Sequence, residues 1–258
     1  MQIVVPMAGL GQRFADAGYR LPKPLIPVGG LPMVVRVVKN LPPAERTVFI
    51  CHPDHLRDFP LRQQLETHIP GAVLVVAPGL TAGQACSTRL AVDSLDLDQP
   101  VLVAACDSTQ VYDTNRWHEL TADATTDAVV WTFRNDPRVL IRPEAWGWVR
   151  SDGNVVREVS VKQTISSAPL QDRAVTGTFW FRTARLMAEG LDALVASNRR
   201  VNNEFYMDSV PNVLLPMGRT VRAFDVEKYI GWGTPDDYED YLRWERHFAQ
   251  RDDAAGSA

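Results

Sequence analysis

Three consecutive apolar residues, Ile3, Val4 and Val5, run almost directly into Gly9-Leu10-Gly11, and that junction constrains the chain more than any other stretch. An unbroken apolar run suits a strand covered on both faces of a parallel sheet. The paired glycines permit positive φ and let backbone N–H groups approach an anion, while the short helical pattern that follows adds its N-terminal dipole. Arg13 and Lys23 supply charge. Lys23 stands between Pro22 and Pro24, which predicts an extended backbone that aims the ammonium in one direction. These are the residue types of a phosphate loop, although a tight strand-to-helix turn shares the glycine spacing. A dinucleotide fingerprint would need a third glycine where Phe14 stands, and the Gly-Lys-Ser/Thr of a Walker A loop occurs nowhere.

Strand-like and helical patterns then alternate. Residues 31–41 have helical spacing and stop at Pro42-Pro43, Val48 to Ile50 and Val73 to Val76 read as buried strands, and a helix follows Thr81 and ends near Leu95. Val101 to Asp107 is the clearest buried strand and ends in a carboxylate, which either caps the next turn or ligates a cation. This alternation predicts an α/β fold with a doubly wound, mostly parallel sheet, and places the loops at the carboxyl ends of its strands around one crevice. After a helix over 114–124 the pattern changes to successive strands at 128–134, 146–150, 155–161, 175–182 and 221–226, with a hairpin turn at Ser151-Asp152-Gly153-Asn154. That second half should be antiparallel or mixed. Thr183 to Asn198 reads as an amphipathic helix, Thr234 and Pro235 open a terminal helix, and 251–258 reads as a disordered tail. The division expected is one domain over 1–250, with two halves over 1–125 and 126–250.

With 258 residues, 45% of them hydrophobic, the chain can bury one sizeable core. A formal net charge of −4 argues against a nucleic-acid partner, which would reward a basic face. Cys51, Cys86 and Cys106 are odd in number and lack zinc spacing, which fits free thiols in a reducing compartment. No apolar stretch approaches the roughly 20 residues of a membrane span and no signal peptide is evident, so a cytoplasmic location is expected. Assembly into a homo-oligomer is left open.

The run Met7-Ala8-Gly9-Leu10-Gly11-Gln12-Arg13-Phe14, with Gly18-Tyr19 and Pro22-Lys23-Pro24-Leu25-Ile26-Pro27-Val28, resembles the signature of the sugar-1-phosphate nucleotidylyltransferases, or NDP-sugar pyrophosphorylases. The resemblance implies a Rossmann-like nucleotidyltransferase fold with an antiparallel acceptor-binding layer. It also implies a reaction in which a nucleoside triphosphate and a sugar 1-phosphate, or a similar phosphorylated acceptor, give an NDP-sugar and pyrophosphate with Mg²⁺ as cofactor. On that resemblance Ala8, Gly9, Leu10, Gly11, Gly83 and Gln84 bind the nucleotide, Arg13 and Lys23 are catalytic, Lys162, Gly177 and Glu204 bind the acceptor, and Asp107 holds the metal. Asp208, in the same segment as Glu204, is a further candidate for a sugar hydroxyl.

Departures from the pattern accompany it. The strand before Thr81 ends Ala77-Pro78, without the glutamine that reads the base in many relatives, so the base is not transferable. Of the family's Glu-Lys-Pro only Lys162 is present, between Val161 and Gln163. The second metal aspartate of the family would stand at Gly231, which leaves Asp225 as the first substitute, with Glu227 and Asp208 behind it, or water completing the shell. The rival readings are a non-catalytic nucleotide-sensing subunit and a metal-dependent glycosyltransferase on a related fold.

Overall fold

The computed structural model describes residues 1–255. Its thirteen strands, in chain order, are β1 (Gln2–Met7), β2 (Pro27–Val28), β3 (Leu31–Pro32), β4 (Arg46–Cys51), β5 (Val73–Val76), β6 (Val101–Ala104), β7 (Ser108–Val111), β8 (Ala128–Phe133), β9 (Gly147–Asp152), β10 (Val155–Val161), β11 (Arg173–Phe181), β12 (Val221–Asp225) and β13 (Lys228–Gly231). Nine of them make one sheet in the order 5-4-1-6-11-8-12-10-9. β1 pairs in parallel with β4 on one side and β6 on the other. The chain leaves β1 toward β4 and β5 and then returns past it to β6, so the order reverses between β1 and β6. In an open α/β sheet the ligand crevice lies at such a switch point, outside the carboxyl ends of the two strands.

The second half does not form a separate layer. Its strands extend the same sheet, with β11 antiparallel to both β6 and β8, β12 parallel to β8, and the β9–β10 hairpin at the far edge. Two apolar cores cover the two faces. One contains Phe14, Phe49, Trp117, Trp131, Trp180 and Phe224, and the other contains Val4, Val103, Phe179, Leu191 and Leu214. The buried run of β1, with every residue from Gln2 to Met7 enclosed, follows from having a core on each side.

Local differences from the sequence reading have identifiable causes. Lys23 is not in an extended segment but begins a 3-10 turn over Lys23–Leu25, closed by the Leu25 N–H on the Pro22 carbonyl at 2.8 Å; only Pro22 is extended. The helix after Thr81 starts at Gln84 with Gly83 as its first cap, since the Thr81 hydroxyl is spent on the Gly83 carbonyl and on Ser87 Oγ. The ribbon of β7 and β13 leaves no mark in the sequence, because these four-residue strands carry neither the apolar run of β5 and β6 nor enough length for an alternation. The final helix, Pro235–Ala255, continues through part of the tail expected at 251–258, the remainder of which lies outside the described residues. Among the described residues no helix is long and apolar enough to cross a membrane.

Candidate functional site

Two cavities adjoin at the carboxyl ends of β1 and β6. The first, of about 290 Å³, is lined by Ala8, Gly9, Gly11, Lys23, Gly83 and Gln84 among others. The second, of about 240 Å³, is lined by Gln84, Asp107, Trp146, Lys162, Gly177 and Asp208 among others. Gln84 belongs to both walls, and Cys106 and Asp107, consecutive in the chain, line one cavity each.

The first cavity is shaped by backbone. Gly11 is left-handed, with φ 65°, and a Cβ there would meet the Lys23 Cβ at 3.1 Å, so the loop after β1 and the Pro-Lys-Pro turn pack on each other through a missing side chain. Gly83, at φ 119°, lies against the next segment. A Cβ on it would come within 2.6 Å of both N and O of Phe205, whose N–H donates to Ala82 O at 2.8 Å and whose carbonyl accepts from Ala85 N at 3.0 Å. Residues 204–208 are thereby stitched to the loop that caps the first cavity. Glu204, expected with the acceptor, lines this first cavity instead.

At the junction the Lys23 ammonium donates to Asp107 Oδ2 and reaches the Gly233 carbonyl at 3.4 Å. Burial, the largest single influence, would lower the Lys23 pKa, but the Asp107 charge, the neighbouring Cys106 and the hydrogen bond to Asp107 together outweigh it and raise the pKa, which favours the cation. Arg13 is exposed on the helix Gln12–Asp16 and makes no ion pair with a described residue. It lies near enough to Lys23 and Tyr206 for its charge to act on both. Leu10 is 44% exposed at the loop tip.

In the second cavity, Gly177 has φ 87° at a β-bulge in β11, and its carbonyl accepts the Ala105 N–H at 3.0 Å, which fixes the turn that carries Asp107. Lys162 also has positive φ, 58°. Its N–H is tied to the Trp146 carbonyl at 2.9 Å, and its ammonium lies 5.1 Å from the centre of the Tyr206 ring. Nothing in the sequence distinguishes Tyr206, in a loop, or Trp146, at the start of an expected strand, as residues of a site.

Around Asp107 a divalent cation would find few protein ligands and would complete its shell with water and phosphate oxygens. The Asp107 carboxylate is engaged by Lys23, and no group of three or more His, Cys, Asp or Glu able to hold a metal occurs among the described residues. Strand β13 sets Gly231 opposite Ser108, and the Trp232 N–H donates to the Asp107 carbonyl at 2.7 Å, so Gly231 is indeed brought beside Asp107. A Cβ at Gly231 would, however, lie 2.8 Å from Cε1 and from Oη of Tyr229, two residues earlier on the same strand face. The phenol fills the space. It stacks on Phe133 at 4.6 Å, meets Trp146 edge-on at 5.4 Å, and its pKa is raised by burial first and by the Asp107 charge second.

The candidate substitute carboxylates are placed differently, and of them only Asp208 lines the same cavity as Asp107. Asp225 accepts from Arg173 at 2.8 and 2.9 Å and from Thr132 at 2.7 Å, and these bonds hold its carboxyl below the usual range against the opposing effect of burial. It buttresses β8, β11 and β12 rather than serving as a ligand. Glu227 is exposed, and Asp208 lies next to Lys162, whose charge acts on it.

The family model of the MobA-like NTP transferase domain matches residues 3–198. Solved structures share the fold. A nucleoside-diphosphate-sugar pyrophosphorylase from Vibrio cholerae RC9 is 23% identical with a TM-score of 0.74, over 93% of this chain and 99% of that one. The inositol-1-phosphate CTP transferase from T. maritima is 16% identical with a TM-score of 0.70, over 93% of each chain. The UTP-bound UGPase from Acinetobacter baumannii is 17% identical with a TM-score of 0.69, over 94% and 92%. No curated protein matches the chain.

Proposed function

Since the chain belongs to the family of MobA-like NTP transferase domains, and so to the nucleotidyltransferases, we propose that it transfers a nucleotidyl group from a nucleoside triphosphate to a sugar 1-phosphate or a similar phosphorylated acceptor, releasing pyrophosphate. The observation that carries this reading is the position of Lys23, a cation paired with Asp107 where two cavities adjoin. A triphosphate in the first cavity sets its α-phosphorus at that join, and an acceptor phosphate in the second sets its oxygen opposite the leaving pyrophosphate. Such an in-line displacement needs positioning and charge neutralisation but no covalent enzyme intermediate.

In this reading the loop of Ala8, Gly9, Leu10 and Gly11 receives the phosphates, and Gly83 and Gln84 lie against the base. Lys23 spans the α-phosphate and the acceptor phosphate, while Arg13, exposed and free of ion pairs to described residues, takes the departing pyrophosphate. Lys162 holds the acceptor phosphate, and Gly177 gives the sugar close backbone approach. Asp107 orients Lys23. Mg²⁺ would arrive with the triphosphate, and Asp107 is the carboxylate that would hold it, with water and phosphate oxygens completing the shell.

The test is pyrophosphate release from each of the four common nucleoside triphosphates in combination with sugar 1-phosphates, inositol 1-phosphate and simple alkyl phosphates. Release dependent on both substrates is expected. Binding of triphosphate with no release in any combination would instead support a nucleotide-sensing subunit, the reading that the phenol-filled Gly231 position favours.

A further inference from the structure

Tyr238 supplies a hydrogen bond that the chain around Lys23 cannot make for itself. The 3-10 turn that carries Lys23 runs into the two-residue ribbon of β2 and β3, where Pro27 stands opposite Pro32. Proline has no N–H, so Pro32 cannot donate to the Pro27 carbonyl, and the next N–H, that of Met33, goes to the Ile26 carbonyl at 2.8 Å. The hydroxyl of Tyr238, 211 positions away on the terminal helix, donates to the Pro27 carbonyl at 2.6 Å. Its phenol is buried, at 6% exposure. Burial first, then Tyr19 and Glu245, raise its pKa above the ordinary value, so the hydroxyl keeps its proton and remains a donor.

The Tyr238 ring meets Tyr19 at 5.9 Å and Phe14 at 6.3 Å, both edge-on. Phe14 belongs to the helix that follows Gly9-Leu10-Gly11, and its ring centre lies 5.9 Å from the Lys23 ammonium. At the head of the terminal helix the Gly233 carbonyl faces that same ammonium at 3.4 Å. The first turn joins the two positions: the Tyr238 N–H donates to the Thr234 carbonyl at 3.0 Å, and the Thr234 hydroxyl accepts the Asp237 N–H at 3.2 Å. The opening of the terminal helix therefore holds the Lys23 turn at its ammonium and at its exit, while the Trp232 N–H holds the Asp107 carbonyl at 2.7 Å. Resting on the nucleotidyl-transfer reading above, we propose that Tyr238 is a positioning residue. Through the Pro27 carbonyl it fixes the Lys23 turn against the terminal helix, and so sets where the ammonium stands between the two cavities. A lysine is a point charge on a flexible four-carbon stem and is aimed only as well as its backbone is held. A misplacement of about 1 Å at a reacting centre can cost about a hundredfold in rate.

The experiment removes the hydroxyl and keeps the ring. Tyr238→Phe is compared with wild type and with Tyr241→Phe, a control that loses a hydroxyl bonded to Glu245 of the same helix at 3.1 Å. The first readout is amide hydrogen exchange of the full chain. In Tyr238→Phe the N–H groups of Leu25 and Ile26, which close the turn on the Pro22 and Lys23 carbonyls, should exchange about three- to tenfold faster, with β1 and the terminal helix unchanged. The second readout is kinetic, with a substrate pair that releases pyrophosphate. Tyr238→Phe should lower kcat about three- to tenfold and leave the KM for the triphosphate within about twofold. In a Lys23→Ala background it should lower kcat no further, because a residue that acts through Lys23 then has nothing to place. Tyr241→Phe should match wild type in both readouts. Unchanged exchange at Leu25 and Ile26, or faster exchange spread along the terminal helix, would overturn the proposal. So would an undiminished loss of kcat in the Lys23→Ala background, or an equal loss in Tyr241→Phe. The nucleotidyl-transfer reading fails separately, if wild type releases pyrophosphate from no substrate pair, and the exchange readout then decides by itself whether Tyr238 fixes the turn.

Discussion

Lys23 has two tasks that a single substitution separates poorly, and its burial is the reason. Its ammonium is paired with Asp107, and both side chains are largely enclosed, at 18% and 24% exposure. Lys23→Ala is therefore expected to lower kcat/KM by at least about a hundredfold, through loss of transition-state charge. It should also lower stability by about 1–3 kcal/mol, since the Asp107 carboxylate is left without its partner. A chain that melts like wild type would contradict the pairing, and one that turns over within about tenfold of wild type would contradict the role. Asp208 offers a prediction in pH. Its folded pKa of about 6 lies above the ordinary 3.8, so the folded protein binds this proton more tightly than the unfolded chain, and the stability it allows is present in acid and lost as pH rises through about 6. Asp225 and Asp136, whose pKa values are lowered, act in the opposite sense and are lost as pH falls. Comparing melting temperatures of wild type and Asp208→Asn at pH 5 and pH 8 isolates the one group: the variant's advantage should be a few degrees at pH 8 and should shrink at pH 5.

At the scale of elements, strand β13 shows how a change at one position becomes tolerable through its neighbour. Side chains two apart on a strand share a face, so Tyr229 and residue 231 compete for one volume, and a glycine at 231 is what lets the phenol lie beside Asp107. Gly231→Asp alone should destabilise the protein by about 1–3 kcal/mol, because the new Cβ meets a ring fixed by Phe133 and Trp146. Tyr229→Ala combined with Gly231→Asp should lose less than the sum of the two single changes. A thermal-melting cycle over the four proteins checks this, and strict additivity would mean that the two side chains do not compete. The 81–85 and 204–208 segments show a different kind of coupling. Each is irregular, but they hold each other through backbone bonds on both sides of Phe205, with Gly83 as the only residue type that lets the chains approach so closely.

At the scale of the molecule, one sheet carries both halves of the site. β1 and β6 lead into the glycine loop and Asp107, while β11 joins β6 to the remaining strands and brings Gly177 against Ala105. Asp225 contributes to this continuity from a distance. Its bonds to Thr132 on β8 and Arg173 on β11 tie the end of β12 to the strands beside it. Asp225→Asn should thus lower the melting temperature by a few degrees, yet leave the dependence of pyrophosphate release on Mg²⁺ unchanged. A shifted Mg²⁺ dependence would return Asp225 to the role of ligand.

Much of this architecture was legible before any coordinates. The strands at 73–76 and 155–161 have the bounds read from their apolar pattern, although 73–76, expected to be buried, is a half-exposed edge strand, and the hairpin turn at 151–154 joins the strands expected of it, because local periodicity and turn chemistry act within a few residues. The candidate phosphate loop stands out in the sequence for the same reason: its glycines, its arginine and its proline-framed lysine lie within one short stretch of chain. What only the tertiary structure decided are relations between distant residues. Lys23 and Asp107 are 84 positions apart, and nothing local says that they pair. Asp225 carries the same carboxylate as Asp107, and it is Arg173, 52 positions away, that commits it to the sheet instead of the site. The space expected for a second carboxylate was judged from the residue at 231, but its occupant is set by how Tyr229 packs against Phe133 and Trp146. A sequence states which groups are present, whereas burial and pairing, which depend on every segment that folds around them, determine whether a charge is spent on structure or left free for a ligand.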